Sequence, residues 1–162
     1  VAFLDTQVLQ KRPQVALVIN GKRYLKDQFE VTSNKGAIQV VSQVRKEQAT
    51  RLYAGSLRLQ PNTYGTYTLV NQVPLESYLR GVVPHEIGTF AAQSVLEVQA
   101  ILARTYALRN LRRFAIDNYQ LCADTQCQVY FGIGDAHPKT DRAIAATRGL
   151  VLTYQNELVD AL

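Results

Sequence analysis

Val73-Pro-Leu-Glu-Ser-Tyr-Leu-Arg-Gly-Val-Val-Pro-His-Glu-Ile-Gly88 is where this chain changes character. Before it, short runs rich in Val, Thr and Tyr are separated by turn residues. After it, apolar residues recur at three and four positions, the spacing of a helix face. Pro74 at the start and Gly81 past the end predict a short helix over residues 75–80, since proline suits a first turn and glycine a C-terminal stop. From Ala91 to about Ala115 neither Gly nor Pro interrupts. There Val95, Leu102 and Tyr106, with Leu96, Ala103, Ala107, Leu111 and Phe114, form a wide apolar stripe. Asp117-Asn118 ends this long helix. Thr140 is placed to cap a third helix running through Ala146, with Gly149 beyond it. Residues 150–154 and 158–162 read as a closing hairpin around Gln155-Asn156.

Working back from Val73, the chain reads as β. Val15-Ala-Leu-Val-Ile19 and Arg23-Tyr-Leu25 flank Asn20-Gly21, a strong short-range hairpin signal. Further strands are expected at 38–41, 48–53, 57–59 and 64–70, divided by Asn34-Lys-Gly36, Gly55 and Pro61-Asn62. Short strands at such intervals predict an antiparallel meander. Strands first and helices later give an α+β class, with one domain over 1–162 built from a β-rich part (1–72) and a helical part (73–162).

Of the 162 residues, 47% are hydrophobic and 19% charged, enough for a packed core without metal or disulfide support. No run approaches the roughly 18 apolar residues of a transmembrane helix. The chain begins at Val1 and not Met, so a mature or trimmed piece is expected, with any signal or anchor lying outside it. A net charge of +5 would suit nucleic acid, anionic lipid or an acidic wall matrix, but equally a solvated basic surface. The tight cluster of Arg109, Arg112 and Arg113 sits at a helix end, where cations favour the dipole. Aromatics do not alternate with the basic residues as stacking platforms would, which argues against nucleic acid.

Chemistry concentrates around Glu86. Flanked by Val83, Pro84 and Ile87, its carboxyl is expected to be poorly solvated and to favour the protonated form of a general acid. The plain alternative is a solvated turn residue or cap. Eighteen residues on, Arg104 lies within the apolar helix, where a charge needs a partner: Glu86, Glu97 or a ligand oxygen. Gln128 and Tyr130, with Gln99 on the long helix, could line a groove for an oxygen-rich ligand. Tyr106 reads as core. Glu76, a second carboxylate, sits near a helix start, where a dipole role accounts for it.

Four ordered pieces resemble one family: residues 73–86, then Gln99-Ala-Ile-Leu-Ala-Arg-Thr-Tyr-Ala107, then Cys122-Ala-Asp-Thr-Gln-Cys-Gln-Val-Tyr130, then Thr147-Arg-Gly-Leu-Val-Leu-Thr-Tyr154. Together they look like the stage II sporulation protein D (SpoIID) domain, shared with amidase-enhancer LytB proteins. The resemblance covers the C-terminal 90 or so residues well and the N-terminal strands loosely. It implies a lytic transglycosylase cutting peptidoglycan glycan strands, with Glu86 as catalytic residue. The alternatives are a non-catalytic amidase enhancer and a cell-wall-binding module. It also implies an extracytoplasmic location, in periplasm or cell wall, and glycan strands and a wall amidase as partners. The family continues into a tyrosine-, serine- and glycine-rich segment, so a C-terminal truncation is expected. Family members carry a histidine with the cysteines and can bind zinc. Here Gln126 stands at that position, and His85 and His137 are the only histidines. For an exported protein a Cys122–Cys127 disulfide, or else a pair of buried thiols, therefore ranks ahead of zinc with His137, and no cofactor is expected.

Overall fold

The computed structural model describes the backbone of residues 2–9, 12–44 and 47–161, and the side chains of 14–42 and 48–161. Antiparallel strands fill the N-terminal half; three helices and a small hairpin follow, so the class is α+β. The chain divides into two compact units: residues 1–38 with 55–72, and residues 39–54 with 73–162.

The first unit is all strand. β1 (Ala2–Leu9), β2 (Arg12–Ile19) and β3 (Lys22–Lys26) form one antiparallel sheet. As expected, β2 and β3 turn on Asn20-Gly21, with Ile19 opposite Lys22 and both turn residues at positive φ. Such a turn matches the twist of its strands, which is why Asn-Gly signals it. β4 (Phe29–Val31), β7 (Ser56–Pro61) and β8 (Tyr67–Gln72) form a second sheet in the order β4-β7-β8. Leu57 and Leu59 of β7 and Val70 of β8 are buried, and so are Val15 and Ala16 of β2, against which β7 packs. A plain meander was expected; instead β4 pairs with β7 across the excursion of β5 (Ala37–Val44) and β6 (Glu47–Ala54). That β5–β6 hairpin groups largely with the helices.

In the second unit α1 (Leu75–Ile87) packs on α2 (Gln93–Arg109) and α3 (Pro138–Ala146), and α2 packs on α3. Leu79, Val82 and Val83 of α1 are fully buried, as are Leu96 and Ala100 of α2. Gly81 does not stop the first helix, contrary to the reading of its sequence. The helix runs on through Gly81 and Pro84 to Ile87. The glycine serves packing: a Cβ there would strike the carbonyl oxygen of Gly132 and lie 2.6 Å from Tyr130 Cε2. Gly132 has φ +88°, and a Cβ added to it would lie 2.2 Å from the Leu52 carbonyl oxygen, so it too sits at a close approach of two backbones. Gly81→Ala should therefore destabilise the fold by about 1–3 kcal/mol, the usual cost of overpacking. Urea denaturation measures it; an unchanged midpoint would show that this contact yields freely.

The long helix ends earlier than expected, at Arg109, and turns then lead to a short 3₁₀ helix (Ala115–Asp117) closed by left-handed Asn118. The third helix is capped by His137 and not Thr140. Pro138 takes the first helical position, and His137 Nδ1 accepts from the Lys139 amide at 3.2 Å. The closing hairpin, β9 (Thr153–Tyr154) with β10 (Glu157–Leu158), turns on Gln155-Asn156 as expected. Its strands are shorter than the reading, and Leu162 lies outside the described residues. No helix among the described residues is long and apolar enough to cross a membrane.

Candidate active site

Glu86 occupies the last turn of α1 and is exposed. The apolar enclosure expected from Val83, Pro84 and Ile87 does not form around it. On a helix, neighbours in sequence point to different faces, and it is Val83 that turns into the core. What fixes the carboxylate is a backbone donor, the Val129 amide, 2.9 Å from Oε1. Among the described residues Oε2 makes no hydrogen bond.

Val129 is held by its neighbours. The Gln128 side chain is buried, accepting from Tyr78 Oη at 3.1 Å and donating to the Ala103 carbonyl at 3.3 Å. Tyr130 is buried too, its ring tilted against Tyr78 at 4.9 Å and Tyr53 at 6.3 Å. Burial pushes the Tyr78 phenol well above the ordinary tyrosine range, and Tyr130, Tyr106 and the Glu86 charge add to the shift. Burial, then Tyr53, does the same at Tyr130. Both phenols thus remain protonated wherever the fold would operate. Gln128 and Tyr130 are accordingly brought beside Glu86, but as its supporting wall, with the Gln128 amide engaged on both sides. Gln99, half-buried, stands one helical turn before Ala103.

Arg104 belongs to a different place. It is 1% exposed and meets Glu76, not Glu86 or Glu97. Nε and Nη2 each donate to a Glu76 oxygen at 2.9 Å, a bidentate pair. The remaining N–H groups reach the carbonyls of Leu150 (3.0 Å), Ile144 (3.3 Å) and Ala100 (3.4 Å). A guanidinium has five N–H groups, and five acceptors surround this one. Arg104 ties α1, α2, the end of α3 and the segment before β9 together, and Glu76 is its counter-charge.

Cys122 and Cys127 form a disulfide with their Cα atoms 5.6 Å apart. Asp124 turns the loop between them, Oδ1 accepting from the Gln126 amide and its carbonyl from that of Cys127. The Ala123 carbonyl accepts from Tyr130 N–H, so the bridged loop also steadies the wall beside Glu86. A cysteine binds zinc as its thiolate. With the sulfurs bonded to each other and Gln126 in the ligand position, this pair does not fit the metal. The described residues contain no group of three or more potential metal ligands. Thiol titration of the denatured protein should find none without reductant and two with it. Reduction should cost about 2 kcal/mol of stability, as expected for a short bridged loop.

Two participants escaped the sequence reading. The Val129 amide is a backbone group that no side-chain motif marks. Tyr78 stands inside the resemblance yet was not singled out. Of the basic cluster, Arg109 donates to the Leu158 carbonyl and Arg113 to Tyr106 Oη, so both are employed in the fold.

The SpoIID family, Stage II sporulation protein, matches residues 63–154, which include Glu86, Arg104, Val129 and both cysteines. Relatives include the stage II sporulation protein D of Bacillus subtilis, 31% identical over 127 residues, covering 67% of this chain and 37% of the relative. That of Bacillus amyloliquefaciens is 33% identical over 107 residues, covering 57% and 31%. An uncharacterized protein of Brachyspira hyodysenteriae is 31% identical over 113 residues, covering 66% and 29%. The chain thus spans about a third of the length of the curated relatives it matches. No solved structure matches it. With more than half of its residues matched, and in the stretch that builds the site, the chain belongs to the SpoIID family.

Proposed function

We propose that this protein is a peptidoglycan lytic transglycosylase of the cell wall, acting outside the cytoplasm, with Glu86 as general acid and then base. The observation that carries the reading is the Glu86 carboxylate itself. One oxygen is oriented by the Val129 amide, the other makes no hydrogen bond among the described residues, and the residue is exposed. A single carboxylic acid suffices for this chemistry. Its proton passes to the glycosidic oxygen as the C1–O bond breaks. The resulting carboxylate then takes the proton of the same sugar's 6-hydroxyl, whose oxygen closes on C1 to give a 1,6-anhydro ring. The proton lost in the first step is regained in the second, and no water is consumed. Gln99 would face the sugar, Gln128 and Tyr130 support the Val129 amide from within, and Arg104 serves the scaffold.

The exposure of Glu86 favours one other reading. A carboxylate in water lacks the apolar setting that tunes many general acids, which suits a module that binds the wall or an amidase and enhances it. Incubating the protein with purified glycan strands, with and without stem peptides, separates the two. Soluble fragments released by the protein alone support the transglycosylase. Release only when an amidase is added supports the enhancer.

A further inference from the structure

The Glu86 carboxylate depends on one amide, and the segment that carries that amide, residues 129–135, has no strand or helix to hold it. Its position rests on a few anchors. On one side are the Gln128 side chain and the disulfide loop, through Tyr130 N–H. On the other, the Ile133 amide donates to the Leu52 carbonyl at 2.6 Å, beside Gly132, where a Cβ would collide with that carbonyl. The last anchor is His85, next to Glu86 on α1. Its Nδ1 lies 2.6 Å from the Gly81 carbonyl and its Nε2 3.1 Å from Asp135 Oδ2. A carbonyl only accepts, so Nδ1 carries a hydrogen. Nε2 can then donate to the Asp135 carboxylate as the imidazolium. Phe131 meets the ring edge-on at 5.2 Å, and the Arg51 guanidinium covers Phe131 at 4.5 Å. The imidazole is thereby fixed at both nitrogens and on one edge, with its side chain only 18% exposed at the end of a surface helix.

We infer that His85 and Asp135 latch segment 129–135 onto the last turn of α1, making His85 a positioning residue that keeps the Val129 amide on Glu86. The catalytic side of this inference rests on the proposed role of Glu86; the structural side does not. One residue thus binds the helix that bears the carboxylate to the loop that bears its donor. The charged groups around the latch are Asp135, Glu86 and, beyond Phe131, Arg51. Asp135 has 74% of its side chain exposed, so Asp135→Asn removes the charge without leaving a buried group stranded.

The test is amide hydrogen exchange by NMR on the wild type, Asp135→Asn and His85→Gln, alongside glycan-cleavage kinetics. Val129 should exchange about fivefold faster in both variants, the scale of a partly exposed charge-assisted contact. Amides within α2 should keep their wild-type rates, and kcat on glycan strands should fall by a similar factor at unchanged KM. An unchanged Val129 rate in both variants overturns the latch, as does a uniform acceleration that includes α2. Faster exchange at Val129 in a protein whose wild type never cleaves glycan leaves the latch standing and removes the transglycosylase reading.

Discussion

Arg104→Ala should lower unfolding free energy by roughly 2–5 kcal/mol, the range for truncating a large buried side chain, here one that also loses its ion pair with the part-exposed Glu76. The variant takes the bidentate partner from Glu76 and the guanidinium hydrogen bonds from the carbonyls of Ala100, Ile144 and Leu150 at the junction of three helices. Arg104→Lys should fall between, because one ammonium cannot reproduce the planar fork that meets both Glu76 oxygens. Urea titrations of the three proteins measure the effect. Glu76→Gln supplies the reciprocal, and its cost should not add to that of Arg104→Ala in the double variant, since the two share one interaction. A well-folded Arg104→Ala protein of wild-type stability but lost glycan affinity would return the arginine to the binding site.

Glu86→Gln should cut turnover by about two to four orders of magnitude, the ordinary worth of general acid–base catalysis. Stability should hardly change. The amide is nearly isosteric, the residue is exposed, and Gln Oε1 can still accept from Val129 N–H. Glycan affinity should likewise persist, since what is lost is the transferable proton and not the contact surface. Initial rates of fragment release, with binding measured separately, check both halves. Wild-type rates in this variant would remove Glu86 from the chemistry.

What could be read from the chain and what could not divides along physical lines. The Asn20-Gly21 hairpin was legible because two adjacent residues supply the backbone angles the turn requires. The pairing of β4 with β7 was not, because it spans the whole β5–β6 excursion and no local signal encodes it. Gly81 was visible as a special residue but misread. A glycine at a helix stop and one at a close backbone approach look alike until Gly132 and Tyr130 are in place. Arg104 was legible as a charge needing a partner, while the choice of Glu76 over Glu86 depends on how α1 lies on α2. His85 and Asp135, 50 residues apart, meet only in the folded chain.

The most direct test of Glu86 as the acid of a lytic transglycosylase is glycan cleavage in water enriched in ¹⁸O, with the new ends read by mass spectrometry. Ring closure by the sugar's own 6-hydroxyl predicts fragments lighter by one water than hydrolysis products, carrying no ¹⁸O at the cleaved carbon. Reducing ends labelled with ¹⁸O, or no cleavage by the wild type at all, would contradict it.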